Sequence, residues 1–150
     1  NVCGRGEPRS SKAMAEEEWD CEFCLVKFTP SAQPQPRLTV TSRKVKATAH
    51  NLDQTKNAIG EVLGRQQKFN GMYDLRAYTL PSVSQVRAFA AFGAQTGSFW
   101  EEYCVAAALL ISDNIWATAA KTTINQVLKM CPQKNPFLIA HTPEAAEEFF

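Results

Sequence analysis

The stretch Val105-Ala106-Ala107-Ala108-Leu109-Leu110-Ile111 is a continuous apolar run, preceded by Cys104 and followed by the polar Ser112-Asp113-Asn114. It is far shorter than the roughly 18 residues a membrane-crossing helix needs. Unbroken rather than alternating apolarity marks a central strand covered on both faces. Such a strand requires a sheet with helices packed on it. Downstream, Asp113 or Asn114 can cap a helix over Ile115–Met130, in which Trp116, Ala120, Ile124, Val127, Leu128 and Cys131 follow helical spacing. Asn135-Pro136 ends the connection and Phe137–Ala140 reads as a strand. Thr142-Pro143-Glu144 then offers a cap, a proline at the first helical position and a first-turn acid for a last helix.

Upstream, Leu80-Pro81-Ser82 opens a helix with Val83, Val86, Phe89, Ala90, Phe99, Trp100 and Tyr103 facing inward, and Gly93–Gly97 is expected to break it in two. Asn70-Gly71 is a turn signal, placing a strand over Met72–Ala77. Asn51 or Asp53 can cap a helix with Leu52, Ile59, Val62 and Leu63 on one face. Arg37–Ala47 reads as a strand whose apolar face changes phase from Leu38 and Val40 to Val45 and Ala47, predicting a bulge near Ser42–Lys44. Pro30, Pro34 and Pro36 mark the loop before it. Trp19–Phe28 reads as the first strand, with Trp19, Cys21, Phe23 and Leu25 alternating with Asp20, Glu22 and Cys24. The order β-β-α-β-α-β-α-β-α predicts one α/β domain over residues 14–150 with about four helices. Its sheet is mixed and five-stranded, an antiparallel leading pair followed by parallel β-α units.

With 150 residues, 45% hydrophobic and 21% charged, the composition is that of a soluble globular domain. Sixteen Lys and Arg against fifteen Asp and Glu leave a net charge of +1, which excludes general affinity for nucleic acid or an anionic membrane. Five cysteines, Cys3, Cys21, Cys24, Cys104 and Cys131, do not form a secreted disulfide framework, and the expected setting is reducing and cytoplasmic. Cys21-Glu22-Phe23-Cys24 matches C-x-x-C. On one strand, however, residues three apart lie about 10 Å from each other on opposite faces, beyond the roughly 7 Å a disulfide spans. His50 and His141 are the only histidines, so no zinc spacing is completed. Residues 1–13, with Arg5, Arg9 and Lys12 against Glu7, read as a flexible leader, and Met14 as a natural start.

Met72-Tyr73-Asp74-Leu75-Arg76, then Thr79-Leu80-Pro81-Ser82-Val83-Ser84, then Ala106–Ser112 follow in an order resembling the STAS domain and its SpoIIAA-like relatives. More distantly the chain resembles the core of CRAL-TRIO lipid carriers. The ending Phe137-Leu138-Ile139-Ala140-His141-Thr142-Pro143-Glu144-Ala145-Ala146 is similar to the family's last strand and helix. The resemblance spans roughly Trp19–Phe150 and implies a domain that works by binding a protein partner. In that family a phosphorylatable Ser or Thr after the third strand switches binding off. By position it falls here on Thr79, Ser82 or Ser84, although no Asp precedes Ser82, no Gly follows it and Pro81 occupies the turn.

Ligands of parallel sheets bind at the carboxyl ends of the strands. That edge should gather Thr79, Ser82 and Ser84 with Asp113, Asn114 and His141, where helix N-termini favour an added phosphate. The same hydroxyls and acids also read simply as helix caps. Asp74 and Arg76 share one strand face, as a local ion pair or as an anchor for a partner. A Ser82-His141-Asp113 triad lacks any G-x-S-x-G context. Arg37, Arg43, Lys44 and Lys46 read as a solvated strand edge or a docking patch, with Glu16, Glu17, Glu18 and Asp20 as its neighbours within the chain. Phe89, Phe92, Phe99, Trp100 and Tyr103 form either core or an apolar pocket. The functional expectation is a non-enzymatic interaction domain that binds a protein partner or a second copy and holds no cofactor or metal. The alternative is a carrier of a small apolar or lipid-like ligand.

Overall fold

The computed structural model describes residues 15–77, 82–113, 122, 125 and 134–150. Six strands form one sheet in chain order: β1 (Glu17–Asp20), β2 (Cys24–Thr29), β3 (Arg37–Ser42), β4 (Phe69–Asp74), β5 (Cys104–Leu110) and β6 (Phe137–Ala140). Among the described residues there are three helices, α1 (Ala49–Leu63), α2 (Val83–Tyr103) and α3 (Pro143–Phe149). β1, β2 and β3 pair antiparallel, and β3 through β6 run parallel. β5 lies between β4 and β6, and Ala107, Ala108, Leu109 and Leu110 are all buried. That is the doubly covered strand its apolar run predicts.

The β3–α1–β4 and β4–α2–β5 crossovers step the same way across the sheet, so connections of one hand deliver α1 and α2 to one face. Leu52, Ile59, Val62 and Leu63 of α1 accordingly share a core with Val26, Phe28, Leu38 and Phe69, and Phe89, Phe92, Trp100 and Tyr103 of α2 pack against it. The opposite face is closed over β4–β6 by α3, whose Ala146 meets Met72, Ala108, Leu110 and Ala140. Over β1–β3 that second face carries Glu18, Asp20, Lys27, Thr39 and Thr41, exposed or half-buried.

The expected five strands become six because Trp19–Phe28 is a hairpin rather than one strand. The chain reverses at Glu22, which takes a positive φ of 62°. Cys21 N donates to Cys24 O at 3.0 Å, Phe23 N donates to Cys21 O at 2.7 Å, and Asp20 Oδ1 accepts from Glu22 N at 3.0 Å. A short Asp side chain bonding the backbone two residues on stabilises such a turn, and period-two patterning carries no mark of where a chain folds back. The expectation that Cys21 and Cys24 occupy opposite faces fails with it: both are buried in the core beneath α1.

Asn70-Gly71 is no turn either; both residues sit inside β4. A Cβ at Gly71 would come within 3.0 Å of the Tyr73 ring, so glycine here permits the close approach of an aromatic two residues on. α1 is capped by Thr48 rather than Asn51 or Asp53, with Asn51 returning a side-chain bond to the Thr48 amide at 2.7 Å in a capping box. β3 ends at Ser42, so the change of apolar phase marks the strand's end and not a bulge. α2 runs unbroken through Gly93 and Gly97, neither of which takes a positive φ. Arg37 does not line a solvated edge, because β3 lies between β2 and β4 and α3 reaches its side chain. It is 8% exposed, donates to Glu147 at 2.9 Å and stacks on the Phe150 ring at 4.3 Å. The helix read over Ile115–Met130 and the leader over residues 1–13 lie outside the described residues.

Phe69 is fully buried, with its ring set edge-to-face on Trp100 at 5.9 Å. Phe69→Ala is expected to cost about 3–5 kcal/mol, as large-to-small core changes do. Val83→Ala, at a side chain 70% exposed, should stay within about 0.5 kcal/mol of wild type. Urea denaturation of the two variants checks this, and equal losses would contradict the packing.

Candidate functional site

The parallel strands carry their carboxyl ends to one edge, together with the N-termini of the helices that follow. Asp74 is the last residue of β4, Asp113 and His141 stand just beyond β5 and β6, and Ser82 and Thr142 cap α2 and α3. The connection also explains the local order: Leu75 N donates to Leu110 O at 2.9 Å and Ile111 N to Ala140 O at 3.1 Å, extending the ladders to the base of the edge.

Asp74 and Arg76 form a forked pair. Arg76 Nε donates to Oδ1 at 2.9 Å, Nη2 to Oδ2 at 2.7 Å, and the Arg76 amide to Oδ1 at 3.1 Å. These charge-assisted bonds hold the Asp74 carboxyl below the usual carboxylate range and raise the guanidinium's proton affinity further, with Glu144 of α3 adding to the latter. Side-chain exposures of 18% for Asp74 and 41% for Arg76 show that the acid is the inner partner and the guanidinium the outward one.

Nδ1 of His141 lies 2.8 Å from Oδ1 of Asp113, which joins the ends of β5 and β6. Ser82 Oγ accepts from Gln85 N at 3.3 Å while Gln85 Oε1 accepts from Ser82 N at 2.9 Å, a capping box. The Ser82 and Ser84 hydroxyls are 2.9 Å apart. The structure therefore brings His141 to Asp113, but the Ser82 hydroxyl is engaged with Ser84 and Gln85 and completes no triad with them. Thr79 and Asn114 lie outside the described residues.

Of the expected aromatic pocket, Phe89, Phe92, Trp100 and Tyr103 pack on the core, and Trp100 meets Phe69 and also Tyr73 at 6.2 Å. Phe99 is 39% exposed and leans on Tyr103. Phe92 also borders an open cleft of about 870 Å³ between α1 and α2, shared with the polar Asp53, Lys56, Asn57 and Glu61. The basic run is divided. Arg37 serves α3, Arg43 pairs with Asp20 at 2.7 Å, and Lys44 and Lys46 are exposed. Of the leading acids, Asp20 thus neighbours the basic run, while Glu16 pairs with Lys27, outside it, at 2.6 Å.

Two contributors escape a reading of the sequence. Gln85 Nε2 donates to Ala47 O at 2.6 Å, pinning the start of α2 to the segment after β3. The Ser82–Gln85 spacing announces the capping box but not this long-range bond. Ser42, at the carboxyl end of β3, is 6% exposed and its Oγ has no hydrogen-bond partner among the described residues; nothing in its sequence context marks it. Among the described residues no group of His, Cys, Asp and Glu is placed to hold a metal ion, and no helix is long and apolar enough to cross a membrane.

No family model matches the chain, nor does any curated protein or solved structure.

Two outcomes test this geometry. Ser82→Ala removes the acceptor that satisfies Gln85 N and is expected to cost about 1 kcal/mol in thermal or urea unfolding, whereas Ser82→Asp, itself a capping residue, should recover most of it. Asp74 has a folded pKa below its unfolded value. Its contribution is thus present above the unfolded value of about 3.9 and is lost as pH falls through the folded one. Asp74→Asn should accordingly be less stable than wild type at neutral pH, with the gap closing in the acid range. A gap of constant size down the whole titration would contradict the pairing.

Proposed function

We propose that this chain is a non-enzymatic, STAS-like interaction domain that receives a protein partner at the carboxyl edge of its sheet, with the turn before α2 as the point of regulation. The observation that carries this reading is how the edge's polar groups are used. The Ser82 hydroxyl caps a helix, His141 faces Asp113, and Asp74 is forked by Arg76. Groups tied up in this way hold a fixed pattern of charge and hydrogen-bond capacity, which suits recognition. They offer no hydroxyl paired to a base, as nucleophilic catalysis needs.

Arg76 supplies the outward cation of the surface, and Ser82 and Ser84 supply hydroxyls where the positive end of α2 emerges. A phosphate on either serine adds about −1.5 to −2 charges and three acceptor oxygens at the positive end of α2. The fold tolerates it, while the surface at the start of α2 turns negative. That is a switch acting on the partner rather than on the domain. The packing of the α2 aromatics against β4 supports this over the carrier reading, since Trp100 fills the space beside Phe69 and Tyr73. A cytoplasmic setting belongs to the same proposal.

Affinity capture with immobilised wild type, Arg76→Ala, Ser82→Asp and Lys68→Ala tests it, Lys68 being an exposed residue just before β4 at the opposite end of the strands. Partner recovery should fall about tenfold for Arg76→Ala and Ser82→Asp, the effect of losing roughly 1.4 kcal/mol of binding, and stay unchanged for Lys68→Ala. Equal recovery by all four baits would remove the edge from the interaction.

A further inference from the structure

The hairpin turn places the two cysteines of the C-x-x-C motif in an arrangement the interaction surface does not use. Asp20 stands opposite Leu25 in the β1–β2 register, so the next opposed pair is Cys21 and Cys24, and Cys21 N donates to Cys24 O at 3.0 Å. Opposed residues of an antiparallel pair point their side chains to one face with Cα atoms about 4.5–5.5 Å apart. A disulfide spans Cα separations of about 4.4–6.8 Å. Both residues are free thiols, each 1% exposed, and they share one core cluster. The two thiols lie within hydrogen-bonding reach of each other and of Thr55 of α1, whose Oγ1 stands 3.2 Å from Cys24 Sγ.

We infer that Cys21 and Cys24 form an oxidisable dithiol, a covalent modification site at which a disulfide closes across the tip of the β1–β2 hairpin. The oxidant is a low-molecular-weight disulfide. The Cys21 thiolate attacks one sulfur of that disulfide, breaking its S–S bond and expelling one thiolate. Cys24, losing its proton, then attacks Cys21 Sγ and expels the second. Two protein thiols are oxidised to one disulfide, the oxidant is reduced to two thiols, and the two protons pass to the departing thiolates.

Access is the gate. β1 is a four-residue strand at the edge of the sheet, bonded on one side only among the described residues, and such edges open at low cost in free energy. Burial pushes the Cys24 thiol up to about 11 and raises Cys21 as well, so the attacking thiolate is scarce while the hairpin is shut. Oxidation is therefore slow and follows hairpin opening, and the disulfide is protected from reductant once the hairpin recloses.

Cleavage after Lys12 and Lys27 isolates both cysteines, and no other, in the tryptic peptide Ala13–Lys27. The full chain is incubated with oxidised glutathione under native conditions, its fold followed by near-UV circular dichroism. It is then quenched in acid, alkylated in denaturant without reductant, digested and weighed. The expected peptide is lighter than the reduced form by two hydrogen atoms and carries no alkyl group. In Cys24→Ser the reaction should stop at a single glutathione on Cys21; if that variant does not fold, the wild-type measurement decides alone. A native-state peptide bearing two alkyl groups or two glutathiones would overturn the inference. So would a disulfide that appears only after urea has unfolded the chain.

Discussion

Double-sided burial of β5 is the constraint on which the rest of the structure depends. A strand apolar on both faces must be paired on both edges and roofed above and below. β4 and β6 supply the pairing. α2 crowds one face, its Trp100 packed against Phe69 of the neighbouring β4, and α3 seals the other with Ala146 against Ala108, Leu110 and Ala140. The small residues of the run are fitted to this. Ala107 and Ala108 leave room for neighbours to approach, and Ala108 is completely excluded from solvent. Parallel pairing on both sides of β5 then fixes where the chain emerges, which is why Asp74, Asp113 and His141 share one edge.

What was legible in the sequence follows from that constraint. The central strand, the strand Phe137–Ala140, the cap at Ser82 and the Thr142-Pro143-Glu144 helix start all rest on strong local signals, and the structure bears them out. The misreadings share a different cause. Whether Asn70-Gly71 turns or continues depends on Tyr73 lying back over Gly71, and whether Arg37 is solvated depends on Glu147 and Phe150, far along the chain. The reversal at Glu22 rests on a side-chain bond from Asp20. These are tertiary or single-bond effects without periodicity. At the edge, residue types were readable, whereas the pairing of His141 with Asp113 needed the register of β5 and β6.

The edge and the hairpin handle polar groups in contrasting ways. At the edge, ionised and hydroxyl groups are paired close to water, where each bond costs little and fixes direction. In the hairpin, two thiols are taken out of water altogether, and Cys24 is held in its neutral form by desolvation. One arrangement suits reversible recognition of a partner surface, the other a slow chemical change. Both follow from how the strands end: the parallel block gathers its carboxyl termini at one end of the sheet, and the leading pair folds back on itself at that same end, where Cys24 stands opposite Ser42.

Residue-level hydrogen exchange under native conditions tests most directly whether β5 is the interior of a single sheet. The amides of Ala107–Leu110 should be the slowest strand amides to exchange, approaching the limit set by global unfolding. Those of Glu17–Asp20 in the edge strand should exchange fastest among the strands. Amides of β5 exchanging as quickly as those of β1 would place it at an edge, and would contradict both the sheet order and the surface built on it.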